Sequence, residues 1–145
     1  MLMPKKTKYR KIQRGRMKGK SKAGNLVFGT IGLAAVEPGW LTARQIEAAR
    51  VAISRNLKKE GEMFLRVFPD KPVTKKPAET RMGKGKGTPE FWVCVIKREK
   101  MLIELKDINI DLAKKILKSA AYKIPMKTKI ILKDNNIVAR KQIDK

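Results

Sequence analysis

The stretch LTARQIEAARVAISRNLKKEG, residues 41–61, decides the fold because it carries a complete set of helix signals. Thr42 and Gln45 form a Thr-x-x-Gln capping box, in which each side chain can bond the other's backbone N–H. At 100° per residue, four apolar side chains gather on one face of a helix: Ile46, Ala49, Ile53 and Leu57. Gly61 suits the left-handed residue that ends many helices. The pattern predicts a helix that starts after Thr42 and packs on a core.

Short apolar segments flank this helix, and a second helix is predicted near the C-terminus. The predicted strands are LVFGT (26–30), LAAVE (33–37), EMFLRVF (62–68), FWVCVIKR (91–98), MLIELK (101–106) and TKIILK (128–133). The second helix starts near Asn109 and ends before Pro125; it is predicted to bury Leu112, Ile116, Leu117, Ala120 and Ala121. We predict a hairpin between segments 91–98 and 101–106, turning through Glu99 and Lys100. Hairpins without regular β-α-β alternation predict an α+β fold with a mostly antiparallel sheet and two helices.

The length and the composition divide the chain into segments. At 145 residues it is predicted to form one domain, residues 1–145. Residues 1–25 form a basic arm without apolar periodicity, and residues 26–133 form the α+β core. Within the core, segment 69–90 contains Pro72, Pro77 and Pro89 and is predicted to be an extended loop. Residues 134–145 are predicted to be a polar tail.

The charge is the most unusual property of the sequence. There are 36 lysines and arginines against 13 acids, a formal net charge of +23. Such a charge opposes compaction by self-repulsion, so we expect a polyanionic partner, nucleic acid before an anionic membrane. The candidate RNA-binding cations of the arm are Lys5, Lys6, Lys8, Arg10, Lys11, Arg14, Arg16 and Lys18. Those of the first helix are Arg44, Arg55, Lys58 and Lys59. Both sets could instead be solvated charge on a disordered tail and on an outward helix face.

The residue inventory argues against an enzyme. The chain has no histidine, which removes the usual general base and the commonest metal ligand. A lone Cys94 excludes a disulfide within the chain and a cysteine-cluster zinc site. We predict no catalytic residues, no metal and no cofactor. No secretory signal or membrane-spanning run is present, so we expect a protein that is cytosolic or made inside its own compartment.

The stretch TRMGKGKGTPEF, residues 80–91, interleaves cations with three glycines. It fails as a nucleotide loop. The dinucleotide pattern from Gly83 requires glycine where Thr88 stands, and a P-loop requires Ser or Thr after Gly-Lys, where Gly85 and Gly87 stand. Alternating lysine and glycine does suit RNA backbone, because glycine allows close approach and lysine meets phosphate as a point charge. A mobile, soluble linker is the alternative.

Other polar and aromatic residues are assigned structural roles. The acids Glu60, Glu62, Glu99, Glu104, Asp107 and Asp111 are predicted to be surface counter-charges. Cys94 and Trp92 are predicted to lie in the core. Trp40 is predicted to pack a turn, with base stacking as the alternative, and Tyr9 is a candidate for stacking on RNA.

Four blocks closely resemble the large-subunit ribosomal protein family numbered sixteen of bacteria and plastids. They are the opening MLMPKKTKYRK, LTARQIEAAR (41–50), RVFPDKPVTKKP (66–77) and RMGKGKG (81–87). The resemblance runs from Met1 to about Lys133. It implies an α/β-hammerhead type of fold, binding of large-subunit ribosomal RNA near the central protuberance, contact with A-site tRNA, with P-site tRNA as a further candidate, and a late role in subunit assembly. Neighbouring large-subunit proteins are the implied further partners, with no membrane and no small-molecule substrate.

Site residues follow from the resemblance by position. The loop that would face tRNA comprises Arg81, Met82, Gly83, Lys84, Gly85, Lys86 and Gly87, and the arm cations would contact ribosomal RNA. Lys6 stands where many family members carry arginine, which keeps the charge but not a bidentate contact. The implied location is the ribosome, in the cytoplasm or in a plastid stroma. A free-standing basic RNA-binding module or RNA chaperone is the alternative, and an enzyme acting on a phosphorylated substrate is a third hypothesis.

Overall fold

The computed structural model describes residues 2–57 and 60–133. Met1, two of the predicted helix cations (Lys58 and Lys59) and the predicted polar tail 134–145 lie outside the described residues. The strands are β1 (Ile31–Ala35), β2 (Gly39–Thr42), β3 (Glu62–Leu65), β4 (Lys71–Lys75), β5 (Thr88–Ile96), β6 (Met101–Lys106) and β7 (Thr128–Leu132). The helices are α1 (Ala43–Leu57) and α2 (Ile110–Ala121).

The strands form two sheets. One has the order β3-β6-β1-β7 and the other the order β2-β5-β4. Every pair of neighbouring strands in them is antiparallel. The predicted α+β fold with two helices and mostly antiparallel strands is therefore confirmed.

Both helices begin where the sequence predicts. Thr42 N donates to Gln45 Oε1 at 3.0 Å, and Gln45 N donates to Thr42 Oγ1 at 3.3 Å, so the capping box is formed. All four predicted apolar residues of α1 are buried. Asn109 Oδ1 accepts a hydrogen bond from Asp111 N at 3.0 Å and caps α2. The buried face of α2 differs slightly from the prediction: Ala113 is buried, whereas Leu112 and Ala121 are only partly buried.

The core lies where the helix pair meets the two sheets. The helices pack on each other, α2 packs on β1 and β7, and α1 packs on β2 and β5. One cluster of buried side chains joins both sheets and both helices, with Ile31, Ile53, Ile96 and Leu117 fully buried in it. This continuous burial fixes the relative position of the two sheets.

Segment 26–30 is not the strand that its apolar residues predicted. Its backbone amides converge on the carboxylate of Glu104 in β6. Val27 N, Phe28 N and Gly29 N donate to Glu104 Oε2 at 3.0, 2.7 and 2.8 Å. Gly29 is needed for this approach, because a Cβ there would clash with the backbone of Leu105. Three consecutive amides that serve one oxygen are not available for a strand ladder.

Glu104 also contradicts its predicted role as a surface counter-charge. It is the only charged or polar side chain that is buried within the described residues, with no exposed surface. Arg66 Nη1 donates to its other oxygen, Oε1. Arg66 in turn lies with its guanidinium carbon 5.1 Å from the ring centroid of Phe28. A buried charge is tolerable because it is paired and hydrogen-bonded.

Segments 91–98 and 101–106 do not form the predicted hairpin. β5 pairs with β2 and β4, whereas β6 pairs with β1 and β3 in the other sheet. The chain crosses between the sheets at Glu99, which has a φ of +64°. Five consecutive residues of β6, Met101 to Leu105, are buried, so both faces of this strand must be covered by other parts of the protein. β6 lies inside its sheet, between β3 and β1.

The predicted loop 69–90 is shorter than expected. β4 occupies residues 71–75 and pairs with β5, in which Thr88 and Pro89 already take part. Pro72 argued against a strand in the sequence, but β4 is an edge strand, where proline is tolerated. The remaining hairpin loop comprises residues 76–87.

Candidate nucleic-acid interface

The arm, residues 2–25, carries almost all of its positive charge without an ion pair to a described residue. All eight arm cations predicted to bind RNA are exposed. Within the described residues Lys20 lies 3.5 Å from Glu99, and no other arm cation lies within 4 Å of a described carboxylate. The arm therefore presents positive charge that the described protein does not neutralise.

Lysines of the β4–β5 hairpin hold the arm by its backbone. Lys71 Nζ donates to the carbonyl oxygen of Arg14, and Lys86 Nζ donates to that of Ile12 at 2.5 Å. In return, Lys11 Nζ donates to the carbonyl oxygen of Lys86 at 2.8 Å. The structure thus brings the arm and the glycine-lysine loop, which are more than 70 residues apart in sequence, onto one surface. Like charges brought this close repel each other, and a polyanion laid across them relieves the repulsion.

Trp40 lies beneath this junction. The ring is half-buried, with the Arg14 guanidinium carbon 5.4 Å and Lys71 Nζ 5.1 Å from its centroid. Such cation–π contacts orient the two side chains. The indole Nε1 is buried without a hydrogen-bond partner among the described residues. Trp40 therefore packs the arm against β4, which favours the packing role over base stacking.

The loop tip is the most exposed part of the hairpin. Arg81 to Lys86 are all exposed, Met82 fully, and only Gly87 is half-buried. Gly83, Lys84 and Gly85 have φ values of +96°, +55° and +86°, so the backbone turns through three successive left-handed residues. Lys76 Nζ donates to the carbonyl oxygen of Gly83 at 2.6 Å and closes the turn. Arg81 and Lys84 make no side-chain hydrogen bond to a described residue, so their charges are available to a ligand.

The two described cations of the α1 face are also exposed. Arg44 and Arg55 are eleven residues apart, which places them on one side of the helix and roughly 16 Å apart along its axis. Arg50, by contrast, is occupied by Glu47, with Nη2 and Oε1 2.5 Å apart. This hydrogen bond lowers the pKa of Glu47 and raises that of Arg50.

The sequence did not predict the residues that join the arm to the β4–β5 hairpin. Lys71 and Trp40 orient the arm, but each contacts it across a long stretch of chain. A sequence pattern reports neighbours three or four residues away and carries no signal for such pairs. The capping and periodicity that predicted α1 correctly are local, so they could be found.

Residues 2–57 and 60–133 contain no group of three or more His, Cys, Asp or Glu side chains able to hold a metal ion. Over the same ranges, neither helix has the length and apolar character needed to cross a bilayer.

Cys94 lies in the core as predicted, and we expect it to be unreactive in the native protein. Burial raises the pKa of its thiol, which outweighs the hydrogen bond from the Phe68 backbone. Because only the thiolate is nucleophilic, alkylation at pH 8 should be far slower in the folded than in the denatured chain. Cys94→Ser should lower the free energy of unfolding by about 1–3 kcal/mol, the cost of burying a hydroxyl. Rapid alkylation of the folded protein would contradict this burial.

A comparison with protein families agrees with the geometry. The family model described as ribosomal protein L16p/L10e matches residues 4–131, a span that includes the arm from Pro4 onward, both helices, the loop tip and all strands except the last residue of β7. The chain therefore belongs to the L16p/L10e family of ribosomal proteins, which are structural components of the large subunit.

Proposed function

We propose that the surface formed by the arm and the β4–β5 hairpin binds large-subunit ribosomal RNA and, at the loop tip, tRNA. The observation that carries the proposal is a pair of hydrogen bonds between the arm and the loop: Lys11 Nζ donates to the carbonyl oxygen of Lys86, and Lys86 Nζ donates to that of Ile12. These bonds join two cation-rich segments without a described carboxylate between them. Lysine and arginine bind the phosphate backbone largely independently of sequence.

The parts of this surface divide naturally between two RNAs. The arm cations and the exposed side of α1 supply the broad contact that ribosomal RNA requires. The loop tip presents Arg81 and Lys84 as exposed cations that make no side-chain hydrogen bond to a described residue, and its glycines keep the backbone thin enough to enter a groove. We assign the tip residues Arg81 to Gly87 to tRNA on this basis. A late role in assembly is consistent with a protein that bridges RNA segments already folded.

Salt dependence tests the electrostatic basis of binding. We expect the association constant of the protein for a large-subunit RNA fragment to fall steeply with salt concentration. Each neutralised phosphate should contribute about −0.7 to −0.9 to the log–log slope. Replacing Lys5, Lys6 and Lys8 by alanine should make the slope less negative by about 2–3. A wild-type slope near zero would show that the arm charges do not bind phosphate.

A free-standing RNA-binding module or chaperone remains the competing function. Fractionation separates the two, because a ribosomal component should stay with large subunits in stoichiometric amount through a high-salt wash. A protein that leaves the subunits entirely in that wash, at wild-type sequence, would favour the chaperone.

A further inference from the structure

A cavity of about 520 Å³ opens between the start of the arm and the beginning of α1. Its walls are mostly apolar, and Phe91 at its edge is 40% exposed. The lining residues are Leu2, Met3, Thr42, Ala43, Arg44, Glu90, Phe91 and Trp92. The volume falls in the range of sites that hold small organic groups.

The strand register explains why the cavity exists. β2 ends at Thr42, which pairs with Val93 of β5. β5 continues beyond that pair in the direction of Thr88, with β4 alone beside it. Glu90, Phe91 and Trp92 therefore lie past the end of β2, where the chain has turned into α1.

Two opposite charges enter the cavity wall without neutralising each other. Within the described residues, neither Arg44 nor Glu90 takes part in a salt bridge or a side-chain hydrogen bond. A carboxylate next to an aromatic ring disfavours phosphate as the occupant. A planar, uncharged group with both donors and acceptors fits this lining, and a nucleobase has that chemistry.

We propose that the cavity holds one unpaired guanine base of the RNA that the arm binds, an inference that rests on the proposed function. The arm cations Lys5, Lys6 and Lys8 lie within six residues of Leu2 and Met3, which line the cavity, so a strand bound by these cations would run close to it. Guanine offers neighbouring N1–H and N2–H donors to the Glu90 carboxylate and the O6 and N7 acceptors to Arg44. Its ring stacks on Phe91.

Short oligonucleotides test the base preference separately from the charge. We compare a uridine heptamer with the same heptamer carrying one central guanosine, by fluorescence anisotropy at fixed salt. The guanosine heptamer should bind about 5- to 10-fold more tightly. Inosine, which lacks the N2 amino group, should lose most of that preference.

Charge-matched variants assign the preference to the cavity. Glu90→Gln should reduce the guanosine preference to less than about 2-fold without weakening binding of the uridine heptamer. Glu79→Gln, the same charge change on the exposed hairpin loop, should leave the preference intact. Phe91→Ala should weaken the guanosine heptamer and spare the uridine one.

Equal binding of the two heptamers by the wild type would overturn the proposal, as would a full preference in Glu90→Gln. If the cavity proposal is overturned but the association constant for the uridine heptamer still falls steeply with salt concentration, the proposed RNA-binding function stands. An association constant for the uridine heptamer that does not change with salt concentration would overturn both the cavity proposal and the proposed function.

Discussion

Glu104→Ala is expected to lower the free energy of unfolding by about 3–5 kcal/mol, the cost of removing one partner from a buried ion pair. The substitution leaves the Arg66 guanidinium without its carboxylate and leaves the amides of Val27, Phe28 and Gly29 without an acceptor. Since a domain of this size has about 5–15 kcal/mol of stability, the loss is a large share of the total. Urea unfolding followed by circular dichroism measures it.

If Glu104→Ala does not fold, two further variants still test the predicted contribution of Glu104 to stability. Glu104→Gln keeps the shape and one acceptor oxygen and should cost less. Glu99→Ala removes an exposed carboxylate that pairs with Lys20, and should change stability by less than about 1 kcal/mol. A Glu104→Gln protein as stable as the wild type would show that the charge contributes nothing there.

The Glu104 carboxylate is also expected to stabilise the protein less at acid pH than at neutral pH. Burial raises the pKa of Glu104, but the hydrogen bonds from Gly29, Phe28, Val27 and Arg66 outweigh it and hold the pKa below its ordinary value. This stabilisation is fully present above the ordinary glutamate pKa of about 4.3 and decreases as the pH falls through the lower folded-state value. The stability difference between wild type and Glu104→Gln should therefore shrink in acid. A difference that grows in acid would contradict the lowered pKa.

Replacing Arg81, Lys84 and Lys86 with alanine is expected to weaken tRNA binding to reconstituted large subunits by about 10- to 100-fold. The estimate takes about 0.5–1 kcal/mol for each exposed charge. All three side chains are exposed and every glycine is kept, so the melting temperature of the free protein should stay near the wild-type value.

Two single variants distinguish the contact of the loop with tRNA from its contact with the arm. Lys84→Ala removes a charge that makes no hydrogen bond to a described residue, whereas Lys86→Ala also removes the bond to Ile12. Lys86→Ala should therefore make the arm more sensitive to trypsin, and Lys84→Ala should not. Alanine at Lys114, Lys115 and Lys118 on α2 is the charge-matched control, expected to leave tRNA affinity unchanged. Unaltered tRNA affinity in the triple loop variant at matched salt would remove the loop tip from the proposed tRNA surface.

Much of the fold could be predicted because its signals are local. The Thr42–Gln45 capping box, the Asn109 cap and the apolar face of α1 depend on residues a few positions apart, and all are present in the structure. The apolar face of α2 was predicted in most of its residues. The strand errors have a different origin. Segment 26–30 has strand-like residues, but its amides bond to a carboxylate more than 70 positions away.

The candidate interface likewise has features that the sequence predicts and features that depend on contacts between distant segments. Its cations, its glycines and the exclusion of histidine chemistry are visible in the sequence, since charge and backbone freedom belong to the residue itself. The joining of the arm to the loop through Lys11, Lys71 and Lys86 is not visible, since these bonds are directed at backbone carbonyls, which every residue carries.

The sequence by itself determined the charge of this protein, its helices, its α+β class and, through four characteristic blocks, its family resemblance. Only the tertiary structure decided that β5 and β6 belong to different sheets, that Glu104 is buried, and that the arm lies on the hairpin. The physical reason is the range of the interaction. Helix signals act within one or two turns, whereas strand pairing and charge burial depend on which distant segments the core brings together.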